Sequence, residues 1–157
     1  MPTVTLHRDQ TGKLAGLSDR DAKAYAKFKA RVEDLGDRSI TFTWREPRSG
    51  PYHRRFFAMV NSLYESQDQF TDPEKLLDWL KVGAGHCDIL PGPKGKPVAI
   101  PAHINWATLD QAEFEPIAQA VWRFARSLHA TRFLWPMLDD GKGGGMVEAV
   151  LMEFGEQ

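Results

Sequence analysis

The chain has 157 residues, of which 42% are hydrophobic and 26% charged, and its formal net charge at pH 7 is −1. This size and composition fit one folded domain with its own core, and they exclude a disordered chain, a histone-like polycation and a small disulfide-stapled protein. The chain shows no signal-peptide pattern and no run of about 18 apolar residues, so we expect a cytoplasmic protein without a membrane segment. The single cysteine, Cys87, cannot form a disulfide within the chain and gives no zinc signature.

Charged residues are segregated along the chain. Residues 45–55 contain four arginines and one acid, and residues 116–136 contain three arginines and no acid. Residues 56–90 and 137–157 each have a net charge of −4. Such segregation predicts a protein with one basic face and one acidic face, although the total charge is close to zero.

The spacing of apolar residues alternates between the strand period and the helix period, which predicts an α+β domain. We expect a small mixed or antiparallel sheet packed with about four helices. The predicted strands lie near residues 3–8, 39–45, 87–90 and 98–103. The predicted helices lie near residues 19–34, 52–66, 73–82 and 116–130, the last beginning at Pro116 after a capping signal at Thr108 and Gln111.

The clearest strand pattern is at residues 39–45, where Ile40, Phe42 and Trp44 alternate with polar residues. This alternation predicts a strand whose apolar face lies against the core, with Trp44 buried.

The C-terminal part is expected to lie outside the single domain formed by residues 1–136. Residues 139–145 are rich in glycine and aspartate, which favours a flexible linker. Residues 146–154 have an apolar stripe at helical spacing, and we expect this short helix or tail to contribute to dimer or partner contacts more than to the core.

The most informative stretch is the predicted helix that begins at Pro51 or Tyr52. Cations surround its start, although the N-terminus of a helix already carries partial positive charge and favours acids. An anion bound there, such as a phosphate, would explain the pattern. The alternative is that these arginines pair with acids elsewhere or lie over apolar surface.

Nucleic acid is the anion that this pattern best suits. Tyr52 is an aromatic residue on which an unpaired base can stack, and Trp44 is a second one if it does not join the buried face. Arg123 and Arg126 share one face of a later helix, and two lysines lie in a turn. The predicted nucleic-acid-binding residues are Arg45, Arg48, Tyr52, His53, Arg54, Arg55, Lys94, Lys96, Arg123 and Arg126.

Catalytic chemistry is less favoured. The candidates are His53, His86, Cys87, Asp88 and His103, but adjacent strand residues such as His86 and Cys87 point to opposite faces. No cluster of carboxylates near the basic turn suggests a magnesium site, so we expect no enzyme, no metal and no cofactor. His86 is interpreted as a hydrogen-bonded structural histidine. A metal-dependent nuclease and a phage protein that inhibits or redirects a host protein complex remain the alternatives.

The basic stretch belongs to a longer pattern that closely resembles a family of phage and prophage proteins catalogued only as a domain of unknown function. The resemblance covers residues 39–130, and three strings carry it: YHRRFFAMVN at 52–61, AGHCD at 84–88 and LDQAEF at 109–114. More distantly, the order of predicted elements resembles the phage lambda Orf (NinB) recombination-mediator family. Arg48-Ser49 and Arg54-Arg55 match that family's turn and basic residues, whereas Tyr52-His53 stand where it has a Gln-Asn pair.

This resemblance implies a function in phage DNA recombination. Proteins of the lambda type are dimers that bind single-stranded DNA and help to load recombinase onto strands covered by single-strand binding protein. The resemblance therefore implies a homodimer in the bacterial host cytoplasm, with single-stranded DNA, and single-strand binding protein or recombinase, as partners.

Overall fold

The elements follow from local signals at most positions. The computed structural model describes residues 3–155. It contains six α-helices and two antiparallel two-stranded sheets within that range, which confirms the α+β class, with more helices than expected and two sheets in place of one. The chain divides into two compact units, Met1–Trp44 and Arg45–Gln157, where the sequence predicts a boundary near residue 136.

The unit Met1–Trp44 consists of a hairpin, a helix and a segment without regular structure. Strand β1 (Leu6–Arg8) pairs with β2 (Leu14–Gly16), a strand that the sequence did not predict. Helix α1 (Asp19–Glu33) confirms its prediction, and the Ser18 side chain caps it by accepting from the Asp21 amide at 3.2 Å. The hairpin approaches α1 closely, because a Cβ on Gly16 would lie 2.2 Å from the Ala22 nitrogen.

The predicted strand at 39–45 is wrong, because these residues form no strand. Ile40, Phe42 and Trp44 are 41%, 68% and 68% exposed, so the expected burial of Trp44 is also wrong. Alternation describes which face a side chain would occupy, but a strand also needs a neighbour for its backbone. Among the described residues of this chain, the segment has no such neighbour.

The unit Arg45–Gln157 contains five helices and a hairpin within its described residues. Helices α2 (Gly50–Glu65) and α3 (Pro73–Gly83) and the hairpin of β3 (Cys87–Pro91) with β4 (Pro97–Pro101) confirm their predictions to within a few residues. Helices α4 (Gln111–Ala125), α5 (Leu128–Leu134) and α6 (Asp140–Glu153) follow. The fully buried side chains at the centre include Met59, Leu63, Leu76, Leu80, Phe114, Val121, Leu134, Val147 and Leu151.

Helix α4 begins five residues before the predicted start, and Pro116 lies inside it. The cap is Asp110, whose carboxylate accepts from the Glu113 amide at 3.0 Å, while the Glu113 carboxylate accepts from the Asp110 amide at 2.9 Å. This reciprocal cap, together with the buried Phe114 ring, sets the start. The predicted single helix to residue 130 is two helices, since Ser127 caps α5 by accepting from the Ala130 amide.

The glycine-rich run that predicts a flexible linker forms the first turns of α6. Val147 and Leu151 are 0% exposed and belong to the core, so the apolar stripe of residues 146–154 is core and not a detached tail. A Cβ on Gly143 would lie 3.0 Å from the Thr131 side chain, so glycine here allows α6 to approach α5 closely. No helix within residues 3–155 combines the length and the apolar character needed to cross a membrane.

Candidate nucleic-acid interface

Arg48, one of the cations of the predicted phosphate site, is buried and 7% exposed. Its Nη1 donates to the carbonyl oxygens of Ile104 and Asn105, both at 3.1 Å, and its guanidinium carbon lies 3.4 Å from the centroid of the Phe114 ring. Arg45 likewise donates from Nη2 to the Ala107 carbonyl at 3.2 Å. Both arginines therefore contact the loop before α4, but only Arg48 is buried and not presented to a ligand, whereas Arg45 is exposed.

The burial of Arg48 has an electrostatic cost. Its Nε and Nη2 atoms are buried and have no hydrogen-bond partner among the described residues. Burial lowers the pKa of the Arg48 guanidinium, because removal from water disfavours the charged form. The stacking on Phe114 and the two carbonyl contacts offset part of that cost.

The N-terminus of α2 is already capped. Ser49 Oγ accepts from the Tyr52 amide at 3.3 Å, the Ser49 carbonyl accepts from the His53 amide at 2.9 Å, and Pro51 has no amide hydrogen. The Ser49 amide itself donates to Oε1 of Gln111 at 2.9 Å, which connects the start of α2 to the start of α4. Few amides remain to bind an anion at this helix end.

His53 is packed among aromatic rings, with centroid distances of 4.7 Å to Phe57 and 4.9 Å to Trp106. Burial lowers its pKa, and the nearby charges of Arg48 and Arg54 lower it further. The imidazole is therefore neutral at pH 7 and supplies no charge for a phosphate. Arg54 is exposed and folds back over the start of the helix, since a Cβ on Gly50 would lie 3.3 Å from its Nη1.

A cavity with basic residues does lie beside α2, but its arginines belong to α4 and its C-terminal cap. An open cavity of about 320 Å³ lies between α2 and α4, and we call it the α2–α4 cleft. Its lining residues are Tyr52, Gln119, Trp122, Arg123 and Arg126. A smaller hollow beside it is also lined by Tyr52 and Trp122, with Arg55, Phe56 and Met59.

The cleft combines aromatic side chains with two arginines, of which one forms an ion pair with a described residue and the other does not. Trp122 is 4% exposed and forms part of the floor, whereas Tyr52 is half-buried at the edge. Arg126 Nε donates to Oε1 of Glu148 on α6 at 2.7 Å, so part of its charge is neutralised. Arg123 is exposed and has no ion pair with any residue in 3–155.

The predicted residues thus divide into three groups. The cleft and its neighbouring hollow bring together Tyr52, Arg55, Arg123 and Arg126. The start of α2 and the loop before α4 hold Arg45, Arg48, His53 and Arg54. The remaining two, Lys94 and Lys96, lie at the turn of the β3–β4 hairpin and do not line the cleft.

Sequence reasoning missed Gln119 and Trp122. Gln119, Arg123 and Arg126 follow the spacing i, i+4, i+7, which places them on one face of a helix. Extending the predicted arginine pair by one helical turn toward the N-terminus would have found Gln119. The burial of Trp122 beside this face depends on packing against α2 and has no comparable signal in the sequence.

The predicted catalytic candidates do not assemble into a reactive site in the described residues. His86 Nε2 lies 3.1 Å from the His103 carbonyl oxygen, and the His86 carbonyl accepts from the Ala102 amide at 3.1 Å. The histidine therefore joins the two ends of the β3–β4 hairpin. No group of three or more metal-binding side chains is found within residues 3–155.

Comparisons of this chain with protein-family models, with curated proteins and with solved structures find no match.

Proposed function

We propose that this protein binds single-stranded DNA in the α2–α4 cleft. The observation that carries the proposal is the presence of Tyr52, Arg123 and Arg126 around one open cavity. Proteins that bind single strands combine aromatic faces, on which bases stack, with cations that follow the phosphates. Here the Tyr52 ring provides the face for one base, and Arg123 provides a phosphate contact.

The cleft favours an unpaired strand over a duplex. A base can stack on Tyr52 at the cleft edge only if it is not held in a base pair. Stacking on one aromatic ring contributes about 1–3 kcal/mol per base and tolerates any base. Binding should therefore show little sequence preference and a strong dependence on salt.

The biological setting of this activity is a further part of the proposal. The resemblance of residues 52–61 to phage proteins, and of the element order to recombination mediators, supports an accessory function in phage DNA recombination. In that setting the bound strand would be handed to a recombinase or taken from single-strand binding protein.

The experiment is a salt titration of binding to a fluorescent oligothymidylate, followed by anisotropy. Each phosphate neutralised contributes about 0.7 to the slope of log K against log salt for a single strand. We expect Arg123→Ala to lower the slope by about 0.7. The matched control is Lys75→Ala, which removes an exposed cation from α3 and should leave the slope unchanged.

Two further variants separate the cleft from the start of α2. Glu148→Gln removes the carboxylate that pairs with Arg126, so binding should become tighter, a gain that misfolding would not produce. Arg54→Ala removes a cation from the first turn of α2, outside the cleft, and should have little effect. A large effect of Arg54→Ala with none from Arg123→Ala would contradict the proposed site. No binding to any single strand at low salt would refute the function and favour a protein-binding activity.

A further inference from the structure

Segment 39–44 has the side-chain pattern of a strand but no strand partner within the described chain. None of its backbone N–H or C=O groups forms a hydrogen bond with another residue in 3–155. Its three apolar side chains are 41–68% exposed. An unpaired strand with an exposed apolar face is a template for pairing with another chain.

The unit that contains this segment lacks a core of its own. No residue between 3 and 44 is buried, and helix α1 has no buried position. A unit of this size needs more buried apolar surface, or a partner, to be stable. The strand-like segment is where such a partner can add both backbone hydrogen bonds and apolar contact.

We propose that this partner is a second copy of the chain, paired antiparallel through segment 39–44 about a two-fold axis at Phe42. In this register Ile40 lies opposite Trp44 of the second copy, Thr41 lies opposite Thr43, and Phe42 lies opposite itself. Residues that are directly opposite in an antiparallel pair point to the same face. Six apolar side chains therefore meet on one face of the ribbon, and four threonines meet on the other.

The sequence of the segment favours a copy of itself over an unrelated strand. Aromatic pairs, aromatic pairs with β-branched residues, and threonine pairs are among the favourable cross-strand pairs, and this register contains all three kinds. It places no charged residues opposite each other within 39–44. A shift by one residue would put apolar side chains on the polar face, and a shift by two would leave an apolar side chain unmatched.

Helix α1 is positioned to cover the apolar face of the ribbon. The ring of Phe28 meets the ring of Phe42 edge to face at a centroid distance of 5.9 Å, and Tyr25 stacks on Phe28 at 6.4 Å. In the dimer, one α1 from each copy would pack on the six apolar side chains. This gives the unit a layer of two helices on two strands, in which each copy completes the other. The inference does not depend on DNA binding.

Cysteine cross-linking tests the register directly, in a Cys87→Ser background so that no other thiol is present. Opposite residues have Cα atoms about 4.5–5.5 Å apart, which a disulfide can bridge, whereas diagonal neighbours are about 7–8 Å apart. Thr41→Cys and Thr43→Cys proteins of different mass should cross-link with each other on mild oxidation, several-fold more than either does with itself. Both substitutions leave the apolar face intact. Equal cross-linking in all mixtures would overturn the proposed register.

Sedimentation equilibrium over a range of concentrations tests the dimer itself. Phe42→Lys places two like charges on the two-fold axis and should give a monomer. Leu14→Lys replaces an apolar residue of similar exposure, 59%, in the β1–β2 hairpin and should leave the dimer unchanged. A wild-type protein that is monomeric at every concentration would overturn the proposal, as would a Phe42→Lys protein that dimerises as well as the wild type.

Discussion

Replacing Arg48 with alanine distinguishes a structural arginine from a DNA-binding one. The side chain is 7% exposed, so it cannot contact a phosphate without leaving its place beside Phe114. The change removes the Nη1 group that donates to the carbonyl oxygens of Ile104 and Asn105. The Ile104 carbonyl then stays buried without its Arg48 donor. It also removes the stacking on the Phe114 ring.

The expected loss of stability follows from these contacts. A hydrogen bond from a charged donor contributes about 1.5–3 kcal/mol, and a desolvated cation–π contact contributes about 2 kcal/mol. Part of this is offset because the substitution also removes a buried cation whose Nε and Nη2 atoms have no partner in the described residues. We expect Arg48→Ala to lower the free energy of unfolding by about 2–4 kcal/mol.

Urea titration measures this loss, and Arg48→Met is the companion variant because it keeps apolar packing beside Phe114. Arg48→Met should lower the free energy of unfolding less than Arg48→Ala does, since it removes the buried charge without leaving a large cavity. The affinity for single-stranded DNA should be unchanged in any variant that remains folded. An Arg48→Ala protein of wild-type stability that had lost DNA binding would refute the structural assignment.

Three further changes test the packing of α6, α3 and the start of α2. Gly144→Ala should stabilise the protein by about 0.4–1 kcal/mol in urea, because the position is helical and a Cβ there meets nothing within 4 Å; no change would indicate a linker. Gly83→Ala should destabilise by about 1–3 kcal/mol, because its Cβ would lie 2.2 Å from the Phe124 ring; a neutral result would contradict the close packing of α3 on α4. His53 has a folded-state pKa below its ordinary value of 6.5, so the unfolded chain takes up the proton first. Stability should therefore fall as the pH drops below 6.5 toward the folded-state pKa, and His53→Gln should remove this part of the pH dependence in urea midpoints.

Elements with strong local signals were predicted well from the sequence. Helices α1, α2 and α3 and the β3–β4 hairpin each have a cap, a proline or a turn beside a periodic run, and each lies within a few residues of its prediction. Such signals are contained in a short window of chain and do not depend on distant packing.

The incorrect predictions have a common physical cause: each concerns structure that depends on contacts with another part of the chain. Segment 39–45 has a strand pattern, but no pattern of side chains specifies a partner for the backbone. The glycine-rich run at 139–145 has poor helix propensity, and the burial of Val147 and Leu151 against the core outweighs it. Pro116 marks a helix start by propensity, yet the cap at Asp110 and the buried Phe114 set the start of α4 earlier.

The candidate site was predicted in part for the same reason. The sequence identified the cations but not their environments, so Arg48 and Arg55 were equivalent in the prediction. In the structure Arg48 is in the interior and Arg55 lies next to the cleft. Only the packing of α2 against α4 separates a structural arginine from one beside an open cavity.

The most direct test of DNA binding in the cleft is an amide chemical-shift map recorded during titration with single-stranded DNA. We expect the largest progressive changes at Tyr52, Gln119 and Arg123, on the two helices that line the cleft. Changes confined to the β3–β4 turn at Lys94 and Lys96, with the cleft residues unaffected during saturable binding, would contradict binding in the cleft.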